Sequence, residues 1–234
     1  IHMSYLSNMP ANQQVAVKLL AGAFKAVITN DLLHWATDPG TGFLATNTPD
    51  QLYTLAMNAF ATTSGFEGYA STASAAEFAA TMVDNFAEGT DLDAATTNGY
   101  KAFIVTQVPN YPSRGALLAW ATDFLFTYTG TDTGLLALQA VISNRADVSA
   151  AYTQTSAGAA YSGTDTLDDL VGFVDSVTTD PTTASAITTV IQTEITATAA
   201  GLYTLSVSPA SVAEGNTGTA NLNYMLTLNR PATE

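Results

Sequence analysis

The sequence predicts an all-α body, a multi-helix bundle of about eight short amphipathic helices, with a short two-stranded β segment at its C-terminal end. Three observations carry this reading. Apolar residues recur at three- and four-residue spacing over roughly the first 200 positions. Capping signals stand immediately before several of those runs. After Gly201 the period changes to strict alternation.

In the first segment Phe24, Ile28, Leu32 and Trp35 recur at helical spacing, with Val15, Leu19, Leu20 and Val27 beside them, and Asp38-Pro39-Gly40 ends it. Thr48-Pro49-Asp50-Gln51 is a capping box with proline at the first helical position. It opens a face of Leu52, Leu55, Ala56, Ala59 and Phe60. A second capping box, Ser74-Ala75-Ala76-Glu77, starts the helix carrying Phe78, Met82 and Phe86. Tyr100, Phe103 and Ile104 mark the next, closed before Pro109 and Pro112. Ser113 caps Leu117, Ala121, Phe124, Leu125 and Tyr128. Leu135, Leu138 and Ile142 make another helix, after which Asn144-Arg145-Ala146-Asp147 reads as a cap restarting the chain towards Val148 and Tyr152. Asp165 precedes Leu167, Leu170, Val171 and Val174, and Asp180-Pro181 opens a last helix with Ala184, Ile187, Ile191 and Ile195 on one face. Beyond it Tyr203, Leu205 and Val207 alternate with Thr204 and Ser206, and after the turn Glu214 to Gly218 Leu222, Tyr224, Leu226 and Leu228 alternate with Asn223, Met225, Thr227 and Asn229. The expected division is a helical domain over 4–200 and the opening of a sheet over 201–234.

Composition narrows the function classes. Lys and Arg number 6 against 20 Asp and Glu, a net charge of −14 over 234 residues. So few cations cannot neutralise a phosphate backbone, which excludes nucleic acid as a partner. The absence of cysteine excludes disulfides, thiol nucleophiles and Cys-held metals. With 40 Ala, 37 Thr and only 11% charged residues, the surface must be covered by small side chains and hydroxyls. No uncharged apolar run approaches the ~18 residues of a transmembrane segment. Ile1-His2-Met3 reads as a cloning remnant, no secretory leader is legible, and a fragment of a longer protein is expected.

Candidate chemistry is sparse. His34 beside Trp35 reads as structural, and no Gly-x-Ser-x-Gly elbow accompanies it, so no catalytic residue is expected. Calcium is the one cofactor the acids suit: Asp91 with Asp93, and Asp165 with Asp168 and Asp169, offer oxygen ligands without EF-hand spacing. An acid at a helix start also favours the positive end of the helix dipole, and Asp165 with Asp168 is better explained as a helix start than as a calcium site. Trp35, Tyr53, Trp120 and Tyr128 are the aromatics that could stack on sugar rings, but their helical spacing says core first. None of the glycine-containing turns carries the Lys-Ser/Thr of a phosphate loop.

Two resemblances extend the reading. The run from Ser206 to Gly218, with its Val212-Ala213-Glu214-Gly215 turn, followed by Leu222 to Thr233 with Leu228-Asn229-Arg230-Pro231-Ala232, resembles the opening of a Calx-β domain. That resemblance implies the first two strands of a seven-strand sandwich, with Glu214 at a calcium-bearing end. The helical part is similar to helical modules of RTX-type and S-layer-like bacterial surface proteins. The residues that carry this are Glu77, Phe78 and Phe86, the segment Tyr111 to Trp120, Asn144-Arg145-Ala146-Asp147-Val148, and Val177-Thr178-Thr179-Asp180. Glu88 to Asp93 stands where those proteins carry Leu-Gly-Arg-x-x-Asp, a departure from their pattern. The resemblance implies type I secretion, an extracellular place on the cell surface, self-association, and anchoring of the helical region to lipopolysaccharide or another surface polysaccharide. The expected function is therefore a non-enzymatic structural one. The alternatives are an adhesin or glycan-binding head of a large exoprotein and, third, an exoenzyme domain.

Overall fold

The computed structural model describes residues 5–153, 174–200, 205–207 and 226–228. The chain divides into two compact units, Ile1–Thr193 and Glu194–Glu234. The first is helical. After a single 3-10 turn at Leu6–Asn8 come α1 (Ala11–Lys18), which runs on as a π turn over Leu19–Ala23, then α2 (Asn30–Thr37), α3 (Phe43–Thr46), α4 (Pro49–Phe60) and α5 (Ala75–Ala87). These are followed by α6 (Ala94–Gln107), α7 (Arg114–Phe126), α8 (Thr133–Tyr152) and α9 (Pro181–Ala200). Among the described residues of the second unit, Leu205–Val207 pairs antiparallel with Leu226–Leu228, Leu205 opposite Leu228. No helix among the described residues is long and apolar enough to cross a membrane.

The helix starts are local chemistry. Ser74 Oγ accepts the Glu77 N–H at 3.2 Å while Glu77 Oε2 accepts the Ser74 N–H at 2.6 Å, closing the box at α5. At α4 the Gln51 side-chain oxygen accepts the Thr48 N–H at 2.9 Å, the returning half of such a box. Asp93, Ser113 and Asp132 each accept a backbone N–H from the first turn of α6, α7 and α8. Such caps contribute about 1 kcal/mol each. These backbone bonds hold the carboxyls of Glu77, Asp93, Asp132 and Asp180 below their ordinary range.

A carboxyl whose pKa is lowered by folding stabilises the fold above its ordinary value, 3.8 for Asp, and that contribution is lost as pH falls through the folded value. Helical circular dichroism is therefore expected to hold from neutral pH down to the ordinary carboxylate range and to decline below it. Ser74→Ala, which removes one of these partners, is expected to lower stability by about 1 kcal/mol in a denaturant titration.

The first segment departs from the sequence expectation. Val15 to Trp35 is not one helix, and Phe24, Ile28, Leu32 and Trp35 do not share a buried face. The π turn ends at Ala23, Lys25 takes a left-handed conformation (φ 49°), and both Phe24 and Ala26 donate to the Leu20 carbonyl. The segment 24–29 then passes through the core without helical structure until Thr29 caps α2 by accepting the Leu32 N–H. The physical reason is burial on all sides. Every residue from Leu19 to Thr29 except Lys25 is buried, so apolar spacing there carries no information about a face. Phe24 sits at the centre of an aromatic cluster, 4.4 Å from Phe60 and 5.1 Å from Tyr69 between ring centroids.

A second departure lies in α8, which is neither short nor restarted. Asn144 to Asp147 is the middle of a continuous helix, and everything from Asn144 to Tyr152 is buried. Its polar side chains satisfy backbone groups of the elements around it, as buried peptide groups require. Arg145 donates from Nη1 to the Asn85 carbonyl and from Nη2 to the Glu88 carbonyl, both at 2.7 Å, and so closes the C-terminal end of α5. Asp147 accepts the Leu6 N–H at 3.1 Å, Ser149 accepts the Ile28 N–H at 3.0 Å, and Asn144 donates to the Thr178 carbonyl at 2.8 Å. Beside this hub Gly89 has φ 80°, and a Cβ there would strike the Val177 carbonyl oxygen.

Candidate functional site

The helix pair α4 and α7 builds the most complete site. Gly115, near the start of α7, lets the two backbones approach so closely that a Cβ there would lie 2.7 Å from the Asp50 carbonyl oxygen. Above this crossing opens a groove of about 430 Å³. Its aromatic lining is Tyr53 from α4, Tyr111 from the loop before α7 and Trp120 from α7. Its charged groups are Lys18, Asp50 and Asp123. The Tyr111 and Trp120 rings stand 5.5 Å apart between centroids.

Tyr53 lies at the floor, 4% exposed. Burial pushes its phenol above the usual range. The Thr122 hydroxyl pulls the other way, and the carboxylates of Asp123 and Asp50 add to the rise. The phenol is therefore neutral through the physiological range, beside two carboxylates that accept hydrogen bonds. Nothing in this arrangement pairs a nucleophile with a base. Its lining sets aromatic surface beside side chains that can donate or accept hydrogen bonds.

A second concavity, about 340 Å³, lies between α1, α2 and α4 and is lined entirely by apolar residues. Leu32, Trp35 and Leu55 stand exposed along it.

The structure brings two of the four expected sugar-stacking aromatics together and separates the others. Tyr53 and Trp120 share the groove. Trp35, 47% exposed, lines the apolar concavity and packs on Phe43 at 5.4 Å. Tyr128 lies beyond the groove, 5.5 Å from Phe124. Among the expected calcium ligands, Asp93 is the cap of α6, bonded to the Thr96 N–H at 2.7 Å, and Asp91 is exposed in the preceding loop. Among the described residues no group of three or more acids and histidines stands close enough to hold a metal ion. Asp165, Asp168, Asp169 and Glu214 lie outside the described residues. His34 is exposed and faces Asp38 across 3.0 Å. Sequence reasoning did not single out Asp50, Asp123 or Lys18 as site residues, because separation along the chain hides their convergence. The i, i+3 spacing of Asp50 and Tyr53, and of Trp120 and Asp123, was the one local signal.

No family model matches the chain, and neither a curated protein nor a solved structure matches it.

Proposed function

We propose that the helical unit is a non-enzymatic anchoring and assembly module of an S-layer or S-layer-like bacterial surface protein. In this reading it binds lipopolysaccharide or another surface polysaccharide outside the cell. The observation that carries it is the groove between α4 and α7, where Tyr53, Tyr111 and Trp120 meet Asp50 and Asp123. A sugar ring has apolar C–H faces and a rim of hydroxyls. Aromatic walls cover the faces, and carboxylates accept from the rim. The volume lies within the ~300–1,000 Å³ usual for small-ligand sites. An acidic chain with little charge on its surface also suits a protein packed in a lattice at an envelope. The strands Leu205–Val207 and Leu226–Leu228 belong to this proposal as the opening of a Calx-β sandwich, with Glu214 at its calcium-bearing end.

The test is calorimetric titration with polysaccharide released from smooth lipopolysaccharide by mild acid. Wild type is expected to bind, and Trp120→Ala to bind about tenfold more weakly, a loss of about 1.4 kcal/mol. Trp35→Ala, on the other concavity, is expected to bind as wild type does. Equal losses in the two variants would remove the groove from the proposal.

Assembly is assigned to the apolar concavity. Its exposed Leu32, Trp35 and Leu55 form the sort of patch that marks contact between proteins. Leu55→Asp is expected to shift sedimentation towards monomer while leaving the helical circular dichroism unchanged.

A further inference from the structure

We infer that the ligand is an extended, uncharged polysaccharide that continues from the groove across Trp120 onto an aromatic face of α6 and α7. The inference rests on the glycan reading of the groove and names the length and charge of what fills it.

Trp120 belongs to two depressions. On one side it walls the groove. On the other it lines a small apolar crevice of about 60 Å³, together with buried residues such as Met82 and Leu125 and the exposed Phe103 of α6 and Phe124 of α7. Those two rings are 50% and 38% exposed. Both lie on helix faces that the sequence assigns to the core, yet they stand open to solvent. Fully burying a phenylalanine would have contributed roughly 1.5–3 kcal/mol, so leaving both exposed forgoes stability.

The rings also touch one another in series. Trp120 and Phe124 are nearly parallel, 19° between planes and 5.4 Å between centroids. Phe124 and Tyr128 follow at 5.5 Å, and Tyr111 stands 5.5 Å from Trp120 at the groove end. At the far end the polar groups are fixed, since Tyr100 donates to Asp132 at 2.9 Å and the Asp132 N–H donates to the Tyr128 hydroxyl at 3.1 Å. An aromatic path with hydroxyl and carboxylate groups at both ends matches a chain of sugar rings better than a single sugar.

Charge selects among such chains. The protein carries −14, and the acids at the path are Asp50 and Asp123 at one end and Asp132 at the other, with Lys18 in the groove. A chain of uronic acids or sulfated sugars would meet like charge, and a neutral chain does not.

The experiment uses the whole chain and neutral O-polysaccharide cleaved from smooth lipopolysaccharide and fractionated by length. Long fragments are expected to bind about tenfold more tightly than short ones. Phe103→Ser with Phe124→Ser is expected to abolish the advantage of long fragments over short ones. An acidic polysaccharide of equal length is expected to bind more weakly than the neutral one. Equal affinity for short and long neutral fragments would overturn the inference and leave the groove reading standing. Binding of neither would overturn both, and stronger binding of the acidic chain would overturn the charge selection. The wild-type length series decides the matter even if the double variant does not fold.

Discussion

Arg145→Met is expected to lower the stability of the helical unit by about 1–3 kcal/mol for each of the two backbone carbonyls that lose their donor. The side chain is fully buried, and its two donors close the end of α5 at Asn85 and Glu88. Methionine fills similar space but leaves both carbonyl oxygens without the guanidinium, and an unmet buried acceptor costs about 1–3 kcal/mol. Burial lowers the Arg145 pKa to about 10, with Glu88 and Asp175 opposing the shift, so the group is charged at neutral pH. Folded proteins have only about 5–15 kcal/mol in total, so this single change removes much of the margin. A fall in melting temperature of about 10 °C is the expected readout, at roughly 2–4 °C per kcal/mol for a domain of this size. Arg145→Lys keeps the charge but not the planar fork that reaches two carbonyls at once, and is expected to recover only part of the loss. A melting temperature unchanged in Arg145→Met would mean that α5 is closed by other groups.

Gly115→Ala is expected to damage stability and ligand binding together. The added Cβ would lie 2.7 Å from the Asp50 carbonyl oxygen and 2.8 Å from the Thr54 nitrogen, both backbone atoms of α4. A rotamer change cannot relieve contacts with backbone, so α4 must move away from α7. Overpacking of this kind costs about 1–3 kcal/mol. The same movement separates Asp50 and Tyr53 from Ala116 and Trp120, the two sides of the groove. Denaturant unfolding and titration with the neutral polysaccharide should therefore fail in parallel. Gly99 is the control. It lies within α6, and a Cβ there meets nothing within 4 Å. Gly99→Ala is accordingly expected to stabilise the protein by about 0.5–1 kcal/mol, the ordinary gain from replacing glycine inside a helix. If both substitutions behaved alike, the close approach at Gly115 would not be what holds α4 against α7.

How far the fold was legible depends on the range of the interactions. Ser74 with Glu77, Thr48 with Gln51, and Asp93 with Thr96 act within one helical turn, so residue types at fixed spacing reveal them. The helical character of the body follows from many such signals and from apolar spacing on helices with one wet face. Where a segment is buried on every side that spacing loses its meaning, which is why 24–29 reads as helix and is not. The polar run Asn144 to Asp147 reads as a helix start for a related reason, since nothing nearby in sequence shows that Asn85, Glu88, Leu6 and Thr178 will surround it. Tyr53 and Trp120 were legible as candidate aromatics, but not their convergence with Tyr111, Asp50 and Asp123.

The sequence by itself determined a helical body, its main capping points and the lack of any cysteine thiol, because composition and one-turn hydrogen bonds do not depend on how helices pack. Only the tertiary structure decided that Arg145 is a buried tie rather than a cap, that Trp35 stands apart from Trp120, and that Asp50, Tyr53, Tyr111 and Asp123 converge. Those outcomes turn on where α4 meets α7 and where α8 runs. Burial of apolar surface drives such packing, and it is non-directional, so it leaves no fixed spacing along the chain from which the partners can be read.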